Sequence, residues 1–449
     1  MSERYEELLG NAILGVDTLW GGDVMCPSGT GRFIADSWFY NESLPRAYTD
    51  ATAARVRETG GVSSKSGDRE AIRAYLAAVD IPEAIQGVKE AAIGFIDTRR
   101  AYVEGLVRCL ETMWDLAMEI LGGGEPVAYE RCVVASTGRT PEPSDPSRKL
   151  ERVAELLSQS GTPGGRDKLL MAVDEWRQAH RVPMASIRTL GATAIAYFDE
   201  LSTRNVAPNL PASLQSVPRA NIQFLPIRDA WFSGSMNYLG RGRRSDGSPE
   251  YEATYEINAS LEISVPEFLQ LVSHEVVPGH VTTFAYLQNQ YWRGEVGFEA
   301  SVLTMNTRAA TLFEGIANNA ILMAHGVKEV DQLPDPDLQI GVLLALLQDD
   351  AKNQASYLTW GERMPQVEVA ETLRTEFLVS EERADKLSGA WGRHPLLGRM
   401  YLPAYRAGTE KVAELRRTFP DHEVIPALYG CRGLVDVTTI ENVLRVTPR

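Results

Sequence analysis

Apolar residues recur at three- and four-residue spacing through most of this chain, a period that belongs to helices and restricts the fold more than any other feature. The longest such run extends from Ile81 to Leu121, with Pro82 in its first turn and Gly122-Gly123-Gly124 at its stop. The pattern returns over about 69–79, 147–158, 166–180, 185–201, 299–323, 338–359, 367–378 and 397–418. The breaks at 60–68, 139–146 and 161–165 are short and rich in Pro, Gly and Ser. None is a long linker, and there is no internal repeat or low-complexity tract. The expectation is a mainly α protein: one helical body over 1–449, with a helical N-terminal part (1–219) and a second part (220–449) that carries the chemistry.

One region breaks the period. From Ala220 to Ile263 aromatic and β-branched residues accumulate, as in Asn221-Ile222-Gln223-Phe224 and Thr254-Tyr255-Glu256-Ile257, with Asp246-Gly247 between them as a turn signal. This reads as a small antiparallel sheet or hairpin pair placed before the next helix.

Composition bounds the class. With 44% hydrophobic and 23% charged residues the chain can bury a sizeable core. A net charge of −15 would repel nucleic acid and anionic membranes, which removes both as partners. Cys26, Cys109, Cys132 and Cys431 are widely separated and lack CxxC spacing, so they read as free thiols of a reducing compartment. The first residues show no basic segment followed by an apolar run, and no stretch approaches the roughly 18–20 apolar residues of a membrane span. A cytoplasmic location is the expectation.

The chemistry concentrates in His274-Glu275-Val276-Val277-Pro278-Gly279-His280. Ser264-Val265-Pro266-Glu267 forms a capping box with proline in the first turn, so a helix should start there and carry His274 and Glu275 two to three turns in. In the usual zinc-hydrolase signature the histidines stand four apart and share one helical face. Here they stand six apart, which in an unbroken helix leaves the second ring about 120° from the first. Pro278 removes a backbone donor and Gly279 tolerates unusual dihedrals. A bulge or kink at this pair would return His280 to the side of His274.

The segment resembles the H-E-x-x-P-G-H signature of the bacterial family called domain of unknown function 885. Phe313-Glu314-Gly315-Ile316-Ala317 is similar to that family's E-G-W-A motif, and Leu402-Pro403-Ala404-Tyr405-Arg406-Ala407-Gly408 to its Q-A-x-x-Y-x-x-G segment in the Tyr-x-x-Gly core. The matches fall in the family's order over 264 to about 410. The chain departs from the pattern at Val281, Ile316 and Leu402-Pro403, where the family commonly has histidine, tryptophan and Gln-Ala.

The resemblance implies a helical, gluzincin-like fold and an assignment as a metallopeptidase or carboxypeptidase. It implies His274, His280 and Glu314 as zinc ligands, a set that leaves one coordination position open for water. Glu275 would then be the general base. Tyr405 would stabilise the oxyanion, with His394, in Gly392-Arg393-His394-Pro395, as the second candidate. Glu295 and Glu299 are alternatives to Glu314 as the carboxylate ligand. The substrate would be a small peptide or an amide-containing small molecule. Two rival readings use the same residues. One is a non-haem iron (Fe2+) enzyme, since two histidines and a carboxylate also form its facial triad. The other is a biosynthetic enzyme or ligand-binding scaffold that does not cleave peptides.

Overall fold

The structure is a computed structural model that describes residues 2–23, 44–159, 166–227, 234–258 and 263–446. Helices dominate it, as the period requires, and one small sheet interrupts them. Cys26 and the 161–165 break lie outside the described residues. Cys109 and Cys132 are buried free thiols and Cys431 is a partly buried one.

The N-terminal part packs helix Ser2–Leu19 against Ile81–Ala92 and Asp97–Leu121. The run expected as one helix from Ile81 to Leu121 is therefore two helices. The break falls at Ile93-Gly94-Phe95-Ile96, where Ile93 and Ile96 are 71% and 74% exposed. Apolar spacing continues through a turn whose two isoleucines face outward, so the period alone conceals it. Trp20, fully buried, closes this part by donating its indole N–H to the Met113 carbonyl at 3.1 Å. The largest core cluster includes Leu9, Leu110, Phe198, Tyr255, Val276, Ile316 and Leu428, and so crosses the 219/220 boundary without interruption.

The sheet has three strands, β1 (Ile222–Ile227), β2 (Gly234–Tyr238) and β3 (Ala253–Asn258), in the order β1-β3-β2. β2 and β3 pair antiparallel, across the loop that contains the Asp246-Gly247 turn. β1 pairs with β3 in parallel, Phe224 opposite Tyr255. The expected antiparallel arrangement is thus corrected to a mixed sheet. The two recognisable β runs are β1 and β3, but an unannounced strand, Gly234-Ser235-Met236-Asn237-Tyr238, comes between them in sequence and reverses the chain once more.

Six helices position the site: α1 (Val265–Glu275), α2 (His280–Trp292), α3 (Arg308–Asn318), α4 (Pro336–Ser356), α5 (Glu381–Ser388) and α6 (Leu402–Thr418). The start of α1 is the capping box read from the sequence, with both reciprocal bonds present. α3 packs along α6, and α4 packs against both α6 and α1. The α3–α6 contact is unusually intimate at two glycines. A Cβ on Gly315 would lie 2.3 Å from the Gly408 carbonyl oxygen, and one on Gly408 would lie 1.9 Å from that of Thr311. Glycine lets the two backbones touch there, which draws Glu314 and the tyrosines at the start of α6 together.

Candidate metal centre

The chain does not bulge at Pro278; it ends one helix and starts another. α1 stops at Glu275, Val276 leaves helical geometry (φ −113°, ψ −81°), the Val277–Pro278 peptide is cis, and α2 begins at His280. Gly279 is required at the crossing point, since a Cβ on it would sit 1.8 Å from the His274 carbonyl oxygen. Backbone bonds from Gly279 N–H to Ser273 O (3.1 Å) and from Thr282 N–H to Val276 O (3.2 Å) stitch the break. Tyr429, fully buried, donates its hydroxyl to the Pro278 carbonyl at 2.7 Å and holds the connection from the far side.

The break brings the two imidazoles to 4.7 Å between centroids, with their planes perpendicular. Glu314 reaches them from α3: His274 Nε2 lies 3.5 Å from Oε2 and His280 Nε2 lies 3.7 Å from Oε1. Ligand atoms of His274, Glu275 and His280 also lie within 4.8 Å of one another. Two carboxylates therefore flank the histidine pair. Glu314 is buried (3% exposed). Glu275 lines a cavity of about 220 Å³ together with His274, Asn318, Asp349, Lys352, Tyr405, Arg383 and Trp391. Glu295 is engaged by Arg293 and Glu299 by Arg99, both in ion pairs of 2.6 Å, so neither alternative carboxylate is placed here.

Each group is held from behind. His274 donates from Nδ1 to Asn318 Oδ1 at 2.7 Å, which fixes its tautomer and leaves the Nε2 lone pair facing Glu314. Asn318 in turn donates to Asp349 Oδ2 (2.7 Å) and Thr409 Oγ1 (2.8 Å), and Lys352 Nζ donates to Asp349 Oδ1 (3.0 Å). His280 stacks against Phe284, with 6.1 Å between centroids. Tyr401, in the π-helical turn Leu397–Tyr401 that precedes α6, donates to Glu314 Oε1 at 2.5 Å.

The electrostatics follow from burial and proximity. Burial pulls the His274 pKa down to about 3, helped by the neighbouring His280, so the ring is neutral. Burial would raise Glu314, but His280, His274 and the Tyr401 hydroxyl overcome it and hold the carboxylate ionised at about 2. Burial likewise opposes charge on His280, and Glu314 outweighs it and raises the pKa. Burial and then the Glu314 charge push both Tyr401 and Tyr405 well above the usual phenol value, so both remain hydroxyl donors.

The residues fit a metal ion on one observation above all: Glu314 Oε2 is buried without a hydrogen-bond partner, at 3.5 Å from a neutral imidazole nitrogen. A buried carboxylate oxygen in that condition is costly. A cation among Glu314, His274 and His280 removes the cost, and donor atoms 3.5 and 3.7 Å apart already stand near the spacing of about 3.3–3.6 Å that tetrahedral ligands at about 2.0–2.2 Å from an ion have from one another.

Tyr405 lines the cavity beside His274 and Glu275, with the Lys352 ammonium 3.2 Å from its ring centroid. His394 is placed otherwise. Its Nδ1 accepts the backbone N–H groups of Leu396 (3.2 Å) and Leu397 (3.1 Å), and its Nε2 bonds Ser63 Oγ at 3.0 Å. Both nitrogens are committed to structure, and His394 is not among the residues that line the cavity. Sequence reasoning missed Tyr401 as a partner of Glu314, and it missed Asn318, Asp349 and Lys352. Asn318 carried a usable signal, since it follows Glu314 by four residues and so shares its helix face.

No family model matches the chain, and no curated protein does. Solved structures do. A “putative lipoprotein” from Colwellia psychrerythraea superposes with a TM-score of 0.52 at 14% identity, over 84% of this chain and 69% of that one. A “putative lipoprotein of unknown function” from Shewanella oneidensis gives 0.51 at 12% identity, over 92% and 80%. At these identities the likeness is one of fold. No helix among the described residues is long and apolar enough to cross a membrane.

Proposed function

We propose that this chain is a zinc-dependent hydrolase of a peptide or amide bond, with His274, His280 and Glu314 as ligands and Glu275 as general base. The observation that carries the reading is the meeting of two imidazole Nε2 atoms and one unsatisfied, ionised carboxylate at 3.5 and 3.7 Å, with a second carboxylate beside them facing a cavity. The set matches a site with three protein ligands and one open position. Zinc bound there supplies a Lewis acid that acidifies water and polarises a carbonyl.

The remaining work belongs to the chain. Glu275 accepts the proton of the attacking water as the C–O bond forms, and passes it to the nitrogen, so that the C–N bond breaks when the tetrahedral adduct collapses. Tyr405, kept protonated by burial, donates a hydrogen bond to the carbonyl oxygen as negative charge grows on it. Asn318 keeps the His274 ring oriented, and Tyr401 holds the Glu314 carboxylate in place. The substrate is a small peptide or amide, sized to the cavity. The family resemblance in sequence supports the same assignment.

Replacing Glu275 with Gln separates this reading from its rivals. The hydrolase reading requires metal content to stay near one ion per chain and turnover of a blocked dipeptide panel to fall by roughly 100-fold or more. An iron oxygenase would instead lose activity without oxygen and have no need of the Glu275 carboxylate.

A further inference from the structure

One face of α4 lines the cavity with Ala345, Gln348, Asp349 and Lys352, which stand at i, i+3, i+4 and i+7 and so share a stripe of the helix. Asp349 is buried, and a carboxylate so placed needs partners. Lys352 Nζ donates to its Oδ1 at 3.0 Å, and Asn318 Nδ2 donates to its Oδ2 at 2.7 Å. Asn318 is also the residue that holds His274, so the Asp349 carboxylate stands directly behind the ligand side of the site.

Lys352 has a second engagement. Its ammonium lies over the Tyr405 ring, 3.2 Å from the centroid, and its side chain is only 13% exposed. The face of a phenol ring carries negative charge, so a cation is drawn to it, and more strongly where water is excluded. The Tyr401 ring meets the same ring at 67°, with 5.1 Å between centroids. An ammonium and a second ring together fix the plane of Tyr405, and the phenol oxygen lies in that plane. The cation has a further effect. A positive charge over the ring draws electron density out of the phenol, which makes its O–H a stronger donor to an oxygen that is gaining negative charge.

We propose that Lys352 is a positioning residue that acts through Tyr405: anchored on Asp349, it sets the ring plane and strengthens the hydroxyl that meets the substrate carbonyl. Its part in catalysis rests on the hydrolase reading, whereas its hold on the ring does not. The Lys352–Asp349 ion pair then joins the two working sides of the site, since Asp349 reaches His274 through Asn318 and Lys352 reaches the oxyanion donor. A lysine that contacted the substrate itself would contribute independently of Tyr405, and that difference is measurable.

The test uses full-length, zinc-loaded protein and the blocked dipeptide that the wild type cleaves fastest. Lys352→Met should lower kcat by about tenfold, leave KM within about twofold and keep the zinc. Lys352→Arg, which keeps a cation, should recover most of the loss. In a Tyr405→Phe background Lys352→Met should cost nothing further, because the ring it acts through has lost its hydroxyl. Losses that multiply in the double variant overturn the proposal, as does a rise in KM alone or a loss of zinc. Lys352→Met leaves the Asp349 carboxylate buried without its cation, so Lys352→Met/Asp349→Asn is measured beside it and should show the same split between kcat and KM. A readout without turnover follows the ring itself. With 3-fluorotyrosine in place of Tyr405, the fluorine resonance of the metal-free protein should move in Lys352→Met and return most of the way in Lys352→Arg. An unmoved resonance overturns the hold on the ring. If the wild type cleaves none of the panel, the hydrolase reading falls, and the fluorine measurement still decides whether Lys352 holds Tyr405.

Discussion

Tyr401, not Tyr405, donates the 2.5 Å hydrogen bond to Glu314, while Tyr405 lies one turn on, its ring 5.1 Å from that of Tyr401, and faces the cavity. Under the proposed function the two tyrosines divide the work, Tyr401 holding a ligand and Tyr405 meeting the substrate. Tyr401→Phe should weaken zinc binding by about 10–100-fold, the range for loss of a bond that orients a ligand. Tyr405→Phe should leave zinc affinity near that of the wild type and lower kcat by about 100-fold, as for loss of an oxyanion donor. Zinc titration against a chelating dye, paired with kcat, checks both; the reverse pattern would exchange the roles.

The meeting of the histidines depends on a glycine. With a Cβ placed 1.8 Å from the His274 carbonyl oxygen, Gly279→Ala cannot keep the present backbone. The variant should lose stability by about 3 kcal/mol or more, because the clash is with backbone that α1 holds rigid. It should also lose stoichiometric zinc. Chemical denaturation and metal analysis read the two effects, and an alanine variant with wild-type stability and zinc would show that the connection is not set as described.

Asn318 is the hinge between the site and α4. Asn318→Ala removes the 2.7 Å acceptor of His274 and the 2.7 Å donor to Asp349 together. Zinc affinity should fall by about 10–100-fold with the overall fold kept. Asp349→Asn, one bond further out, should have a smaller effect on zinc affinity. Equal affinities in Asn318→Ala and the wild type would remove Asn318 from the account.

His394 belongs to stability. Burial holds its pKa down to about 4 in the fold, against about 6.5 when unfolded. Between those values the unfolded chain binds the extra proton, so stability is present above pH 6.5 and is lost as pH falls toward 4. The contribution of this one group is at most about 3 kcal/mol. His394→Asn should be less stable than the wild type at pH 7 and should show a flatter decline between pH 6.5 and 4 in urea titrations. A parallel decline in both proteins would assign the acid sensitivity elsewhere.

Much of the fold could be read from the chain because helical burial is periodic. The capping box at Ser264 marked the start of α1 to the residue, and the Pro278-Gly279 step marked where its geometry must fail. What stayed hidden has physical causes. The turn at 93–96 keeps apolar spacing while exposing Ile93 and Ile96, and β2 is built of residues with little strand preference, so the direction of β1 against β3 could not be inferred. In the site, two histidines around a proline and glycine point to the proposed metal centre because few other arrangements use them. Asp349, Lys352 and Arg383 come from distant helices, and only packing brings them to the cavity. In the sequence Tyr401 is one more aromatic residue, four before Tyr405; the π-helical turn that aims it at Glu314 has no sequence signature.

Anomalous diffraction at the zinc edge from zinc-soaked crystals locates the ion itself. One peak should lie within about 2.0–2.2 Å of Nε2 of His274, Nε2 of His280 and a Glu314 carboxylate oxygen, with Glu275 beside it but not bound. A peak at another cluster, or none between these three side chains, would contradict the assignment.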